Sequence, residues 1–217
     1  MTGNLESGLA VNDTEISRAL KDIKSVYENL YNILSIDVQR NFVDELANMW
    51  ACNYAVEFFN NVFKPSFDKL LDNVNAAFAN IVESIVSAGV AWAETNGGTF
   101  ADQGLTLKTN KIDVSGIREN INGVRGINVN AQTIANRLST ISSRAETELT
   151  NIINAAETSG FYGSSMPENL VSSLTQIKNE MADVIATLNN DVQQYVNKTA
   201  EEYRELATST AKAFSGE

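Results

Sequence analysis

Apolar residues recur at Ile16, Leu20, Ile23, Tyr27, Leu30, Leu34, Val38, Phe42 and Leu46 in steps of three or four. That spacing lays one apolar stripe along an α-helix, whereas a strand alternates with a period of two. Asn12-Asp13-Thr14-Glu15 supplies the start, with Asn12 placed to accept from the third helical amide and Glu15 to reach back. Val11 and Ile16 flank this cap as a hydrophobic staple. About 35 residues at 1.5 Å each predict a helix of roughly 50 Å.

After Trp50-Ala51-Cys52 the stripe resumes at Tyr54, Phe58, Phe59, Phe63, Phe67, Leu70, Val74, Phe78, Ile81, Ile85, Ala88 and Trp92, and Asn96-Gly97-Gly98 ends it. Pro65 lies inside this second helix, and its missing amide and ring clash predict a kink or break near Phe63. Helical periodicity then lapses to about Gly123. Leu105-Thr106-Leu107-Lys108 and Lys111-Ile112-Asp113-Val114 alternate around Thr109-Asn110, a pattern that fits either a small hairpin or a plain extended connection.

A third helix is expected from about Asn128, with Ile134, Leu138, Ile141, Leu149 and Ile153 on its stripe, ending at Ser159-Gly160. Ser165-Met166-Pro167-Glu168 reads as a capping box with proline in the first turn of a fourth helix. Its stripe runs through Leu170, Leu174, Ile177, Met181, Val184, Leu188, Val192 and Tyr195 to Tyr203 and Leu206.

Setting Trp50 on Phe161 gives an offset of 111 residues at which the two halves share a register. Ile23 falls on Ile134, Leu30 on Ile141, Val38 on Leu149, Phe59 on Leu170, Leu70 on Met181 and Trp92 on Tyr203, and at the near end Ile16 falls on Ile127. The expected architecture is all-α: one four-helix bundle made of two tandem long helical hairpins, since a hairpin leaves an apolar face that another hairpin must cover. The hairpins span 13–96 and 123–207, the linker 97–122, and 1–12 and 208–217 are expected as flexible tails. A linker of this length, far beyond the ~2 to 8 residues usual between bundle helices, lets the hairpins lie antiparallel.

Charge and composition narrow the chemistry. Against 27 Asp plus Glu there are 16 Lys plus Arg, a net charge of -11, which disfavours nucleic acid and anionic lipid as partners. The chain has no His and a single cysteine, Cys52, so the commonest general base and metal ligand are missing and no intramolecular disulfide forms. No cofactor, metal or catalytic residue is expected, and the reading is non-enzymatic. Residues 1–10 lack the basic start and apolar run of a cleavable secretory signal. No uninterrupted apolar span reaches the ~20 residues of a transmembrane helix; the nearest, Ala76 to Ala93, is broken by Asn80 and Glu83, and no stable membrane insertion is expected.

Two long helices joined by an aromatic-x-small turn, with aromatics crowding the second helix, resemble the Trp-x-Gly (WXG) family of helical hairpins exported by type VII secretion systems. In that family two hairpins associate antiparallel into a four-helix dimer, and this chain resembles such a dimer fused into one polypeptide. Cys52 stands in place of the motif's glycine in the first half; in the second, Phe161 replaces its tryptophan and Gly163 is kept. The family's export signal includes Tyr-x-x-x-Asp/Glu after the second helix, whereas Tyr203 here leads to Ala207.

The resemblance implies a protein, cargo or adaptor, that leaves the cytoplasm without a cleavable signal and acts through contacts with a secretion ATPase or a co-secreted protein. The expected state is a monomeric pseudo-dimer. The candidate binding residues are Trp50, Ala51, Cys52, Phe161, Tyr162, Gly163 and Tyr203. Trp50 fits two roles, a cap over the core and an exposed recognition residue. The alternatives are a helical pore-forming toxin component and a structural coiled-coil protein of a phage or cell surface.

Overall fold

The computed structural model describes residues 10–102, 104–156, 160–162 and 164–215. The architecture is all-α with very short strands. In chain order the elements are β1 (Ala10–Val11), α1 (Asp13–Asn32), α2 (Asp44–Ala47), β2 (Trp50–Ala51), α3 (Asn53–Glu57), α4 (Lys64–Thr95), β3 (Gly126–Ile127), α5 (Ala131–Ala156), β4 (Phe161–Tyr162) and α6 (Met166–Ser215). Two π-helical stretches, Ile33–Asp37 and Gln39–Val43, carry α1 into α2, and a third, Phe58–Phe63, carries α3 into α4.

The stripe determines what is buried. Ile16, Leu20, Ile23, Tyr27, Leu30, Leu34, Val38, Phe42 and Leu46 are all at most 1% exposed. Asn12 caps α1 as its position predicts, Oδ1 accepting from the Glu15 amide at 3.2 Å. Near Pro65 the chain does not break. Glu57 and Lys64 keep helical dihedrals on either side of Phe58–Phe63, so the lost amide is absorbed as a change of hydrogen-bond register.

The described residues divide into two compact units, and neither is a hairpin. One takes in Met1–Ile33, Leu70–Asn110 and Arg144–Met181; the other takes in Leu34–Lys69, Lys111–Ser143 and Ala182–Glu217. Each therefore draws helix from both halves of the sequence.

In the first unit β1 pairs antiparallel with β4, Val11 opposite Phe161 and Ala10 opposite Tyr162, and the Asn12 amide donates to the Gly160 carbonyl at 2.9 Å. Tyr27 of α1 packs on Phe78 of α4 with ring centroids 5.5 Å apart and donates to Asn75 Oδ1 at 2.7 Å. Lys178 of α6 donates to the Thr150 hydroxyl of α5 at 3.0 Å.

In the second unit β2 pairs antiparallel with β3, Trp50 opposite Ile127 and Ala51 opposite Gly126, and the Asn128 amide donates to the Met49 carbonyl at 2.7 Å. Its core is aromatic: Phe42, Phe58, Phe59, Phe63 and Phe67 are fully buried, with Phe42 stacked on Phe63 at 4.9 Å. Asn189 of α6 donates to Ser139 of α5 at 3.2 Å, and Arg137 of α5 pairs with Glu45 of α2.

Several expectations are corrected. Residues 105–114 form no hairpin and take the extended course. Ile112 and Val114 are buried and alternate with exposed Lys111 and Asp113, but the backbone finds its partners among helix side chains, not in a second strand. Tyr27 Oη accepts from the Lys108 amide at 2.7 Å, Asn75 Nδ2 donates to the Lys108 carbonyl at 2.9 Å, and Asp68 Oδ1 accepts from the Ile112 amide at 3.1 Å. Gln39 both donates to the Asp113 carbonyl and accepts from its amide, each at 2.8 Å.

The third helix starts at Ala131, because Gly126–Ile127 is spent as a strand and Asn130 supplies the cap, accepting from the Thr133 amide at 2.8 Å. Ile127 is thus the partner of Trp50 and not the counterpart of Ile16. From cap to turn, Asn12 to Trp50 is 38 residues and Asn130 to Phe161 is 31, so the second half is shorter by seven, which keeps the apolar stripe in phase. The fourth helix continues to Ser215, past the expected fraying at Ala207. Ser159, expected at the end of the third helix, lies outside the described residues. Finally, the helical run Asn53–Thr95 is long and apolar enough, by length and composition, to cross a membrane: an 18-residue window averages a hydropathy of 1.4, with 33% of it buried. Asn80 and Glu83 interrupt the apolar run without lowering its mean enough to exclude it.

Candidate binding grooves beside the two turns

The residues singled out at the turns are mostly interior. Trp50 is 0% exposed, and Ala51, Cys52 and Phe161 are buried as well. Trp50 therefore caps the core and presents no surface to a partner. Its ring lies 5.8 Å from Phe58 and 6.2 Å from Phe59, and its Nε1–H donates to the Thr199 hydroxyl of α6 at 3.2 Å. That hydroxyl donates in turn to the Tyr195 carbonyl at 2.8 Å, and Cys52 Sγ lies 3.8 Å from it. One O–H and two lone pairs make Thr199 able to serve all three. The Tyr162 backbone pairs with Ala10, and Gly163 lies outside the described residues.

What the turns do create is a groove at each. In the second unit a cleft of about 830 Å³ is lined by Cys52, Asn53, Tyr54 and Glu57 after the turn, by Glu202, Tyr203 and Leu206 of α6, and by Asn120, Gly123 and Arg125 of the linker. In the first unit a cleft of about 490 Å³ is lined by Ala88, Ala91, Trp92 and Thr95 of α4, with Val11, Phe161, Ser164, Ser165, Met166 and Asn169 around the other turn. The two are counterparts at the offset of 111. Ala91, Trp92 and Thr95 correspond to Glu202, Tyr203 and Leu206, and Ser164 and Ser165 correspond to Asn53 and Tyr54. Trp50 and its partner Thr199 correspond to Phe161 and Ala88. Where the ring has no N–H, the facing position has no hydroxyl.

The grooves differ in chemistry. Among the described residues the first-unit groove has no charged lining residue, and Trp92 is 39% exposed in it. The second-unit groove mixes two carboxylates, an exposed guanidinium and two phenols. A hydrogen bond to the Glu202 carboxylate, then burial, hold the Tyr54 hydroxyl above its ordinary range, and burial, followed by the neighbouring Cys52, does the same for Tyr203. Both phenols stay protonated as hydrogen-bond donors at neutral pH. Lys198 Nζ sits 4.5 Å from the Tyr54 ring centroid, a cation–π contact. Among the described residues no group of His, Cys, Asp or Glu side chains is placed to hold a metal ion.

Of the sequence candidates whose side chains are described, Tyr203 alone lines a groove while remaining partly exposed; Tyr54, Trp92, Arg125 and Glu202 line the grooves too without having been singled out for binding. The repeat offset could have found Trp92 and Glu202 once Tyr203 was chosen. Set against known protein families, curated proteins and solved structures, the chain matches none.

Proposed function

We propose that the chain is a non-enzymatic cargo or adaptor of a type VII secretion system, built as a fused counterpart of an antiparallel dimer of Trp-x-Gly hairpins. The observation that carries this reading is the reciprocal pairing of the turns. Trp50–Ala51 pairs with the strand that precedes the second hairpin, and Phe161–Tyr162 with the strand that precedes the first. Antiparallel hairpins bring each turn to the other's open end; parallel ones bring the two turns together. The same antiparallel register closes both, with the Asn12 to Gly160 bond matching the Asn128 to Met49 bond. A four-helix bundle follows as the proposed architecture, and the grooves at Tyr203 and Trp92 as the surfaces offered to a secretion ATPase or co-secreted protein.

Deleting the membrane ATPase of the secretion system in the native host tests this reading. The protein is expected to vanish from the culture medium while accumulating in cells; unchanged export overturns the assignment.

A second reading, a pore-forming component, draws on the apolar Asn53–Thr95 run, much of whose most apolar window is not buried. It requires dye release from liposomes at low protein concentration, and intact vesicles dismiss it.

A further inference from the structure

The groove beside Tyr203 is walled on one side by the chain that leads into β3. Residues 120–125 precede that strand, and Asn120, Gly123 and Arg125 among them line the cleft. Ile121 and Val124 exchange two backbone hydrogen bonds, at 2.8 and 2.9 Å, across Asn122 and Gly123, whose φ values are +52° and +82°. The groove beside Trp92 is built around the other turn, where the chain that leads into β1 lies outside the described residues. The two strands fix the correspondence. Ala10 answers to Gly126, Val11 to Ile127 and Asn12 to Asn128, since each pairs with the same position of its turn. Counted back from there, Leu9 answers to Arg125.

We propose that residues 4–9 of the same chain strap the Trp92 groove, with Leu9 seated in it as Arg125 is seated in the other. Polarity favours this occupant. Arg125 lines a groove that holds Glu57 and Glu202, and Leu9 takes its place where the described lining is uncharged. Direction favours it too. Val11 lines the Trp92 groove, and residues two apart in an extended chain share a face, which puts Leu9, Ser7 and Leu5 on Val11's side. Glu6, the one charged residue of 4–9, falls on the opposite face, so no carboxylate is stripped of water on docking. Glu6 and Ser7 do not favour positive φ, so the strap crosses extended where its counterpart makes a tight turn. The nine residues before Ala10 reach about 30 Å when extended. A tether this short holds the segment at an effective concentration on the order of mM, which a free second copy does not match. A partner that uses the Trp92 groove must first displace the strap; that consequence rests on the secretion reading, and the strap itself does not.

Trp92 reports the strap. Of the two tryptophans Trp50 is 0% exposed and Trp92 39%, so acrylamide quenching of the full chain reads Trp92. Leu9→Asp sets a carboxylate against the uncharged lining, and loss of the seated leucine is expected to lower the ratio of covered to open groove about tenfold or more. Its quenching is expected to rise to that of a chain lacking residues 2–9, whereas Glu6→Gln, on the other face, quenches like the wild type. Helical circular dichroism is expected to be unchanged in all of them; if the shortened chain loses helix, Leu9→Asp alone decides. Wild-type protection is expected to be the same at low and high protein concentration, as a contact within one chain requires. Equal quenching of the wild type and Leu9→Asp overturns the proposal. So does protection that grows with concentration, which assigns the groove to a second copy, and so does an opening caused by Glu6→Gln. No secretion system enters these measurements, so their failure leaves the export reading standing, and unchanged export after ATPase deletion leaves the strap standing.

Discussion

Trp50 and Thr199, 149 residues apart in sequence, share a fully buried hydrogen bond of 3.2 Å, and the residues 111 positions away from each, Phe161 and Ala88, carry neither the donor nor the acceptor. An indole N–H buried without an acceptor is costly, and so is a hydroxyl buried without a donor.

Thr199→Val is accordingly expected to destabilise by about 1–3 kcal/mol, the cost of an orphaned buried N–H. Trp50→Phe loses the same bond and leaves a cavity. Combined, the two substitutions cost less than their sum, because the second removes a bond already broken. Urea unfolding of the four proteins measures this coupling, and strict additivity contradicts it.

Glycine matters at one turn for a reason beyond flexibility. Gly97 and Gly160 both have left-handed φ, +68° and +84°, but a Cβ at Gly97 meets open space while one at Gly160 lies 2.8 Å from the Asn12 carbonyl oxygen and 2.9 Å from the Ile16 amide nitrogen. Gly97→Ala is expected to cost about 1–2 kcal/mol, the left-handed penalty alone. Gly160→Ala adds a backbone clash of roughly another 1–3 kcal/mol and loosens the pairing of β1 with β4. Thermal unfolding of both variants should rank them in that order.

The linker at Ile112 is held by a side chain standing in for a strand. Asp68→Ala removes the acceptor of the Ile112 amide, and that amide is expected to exchange with solvent about tenfold faster or more, as the loss of ~1.4 kcal/mol of local protection implies. Amides in the middle of α5 serve as the internal reference and should not change. Equal protection at Ile112 in both proteins would show that the carboxylate does not anchor it.

Stability is expected to fall at alkaline pH. Burial holds the Tyr27 hydroxyl above its ordinary value of 10.0, outweighing the Lys108 amide that favours the phenolate. Above pH 10 the unfolded chain loses this proton while the folded chain keeps it, so the stabilisation is complete below 10 and is lost as pH rises through the folded value. Tyr54, Tyr195 and Tyr203 are raised too and act in the same direction. Urea midpoints between pH 8 and 11 should therefore decline, and Tyr27→Phe should flatten the decline in part.

The helices were legible because their signals are local. Spacing of three and four residues gave the stripe that is buried from Ile16 to Leu46, Asn12 capped α1 as its neighbours predicted, and the offset of 111 read from Trp50 and Phe161 recurs in the residues lining the grooves. The same periodicity misled at Ile127. A stripe repeats every seven residues, so it could not reveal that the second half begins its helix one heptad later. Thr199 left a usable trace, a hydroxyl at a stripe position, but its partner lay beyond any local window.

By itself, the sequence determined which segments are helical and which face of each is apolar, since backbone periodicity and capping act over a few residues. Only the tertiary structure decided that Trp50 is sealed in the core, that Trp50–Ala51 pairs with Gly126–Ile127 and Phe161–Tyr162 with Ala10–Val11, that residues 105–114 run alone along helix side chains, and that a groove opens beside Tyr203 and another beside Trp92. Those outcomes depend on groups many tens of residues apart finding hydrogen-bond partners and covered surface, and no pattern within one segment records which distant group will supply them.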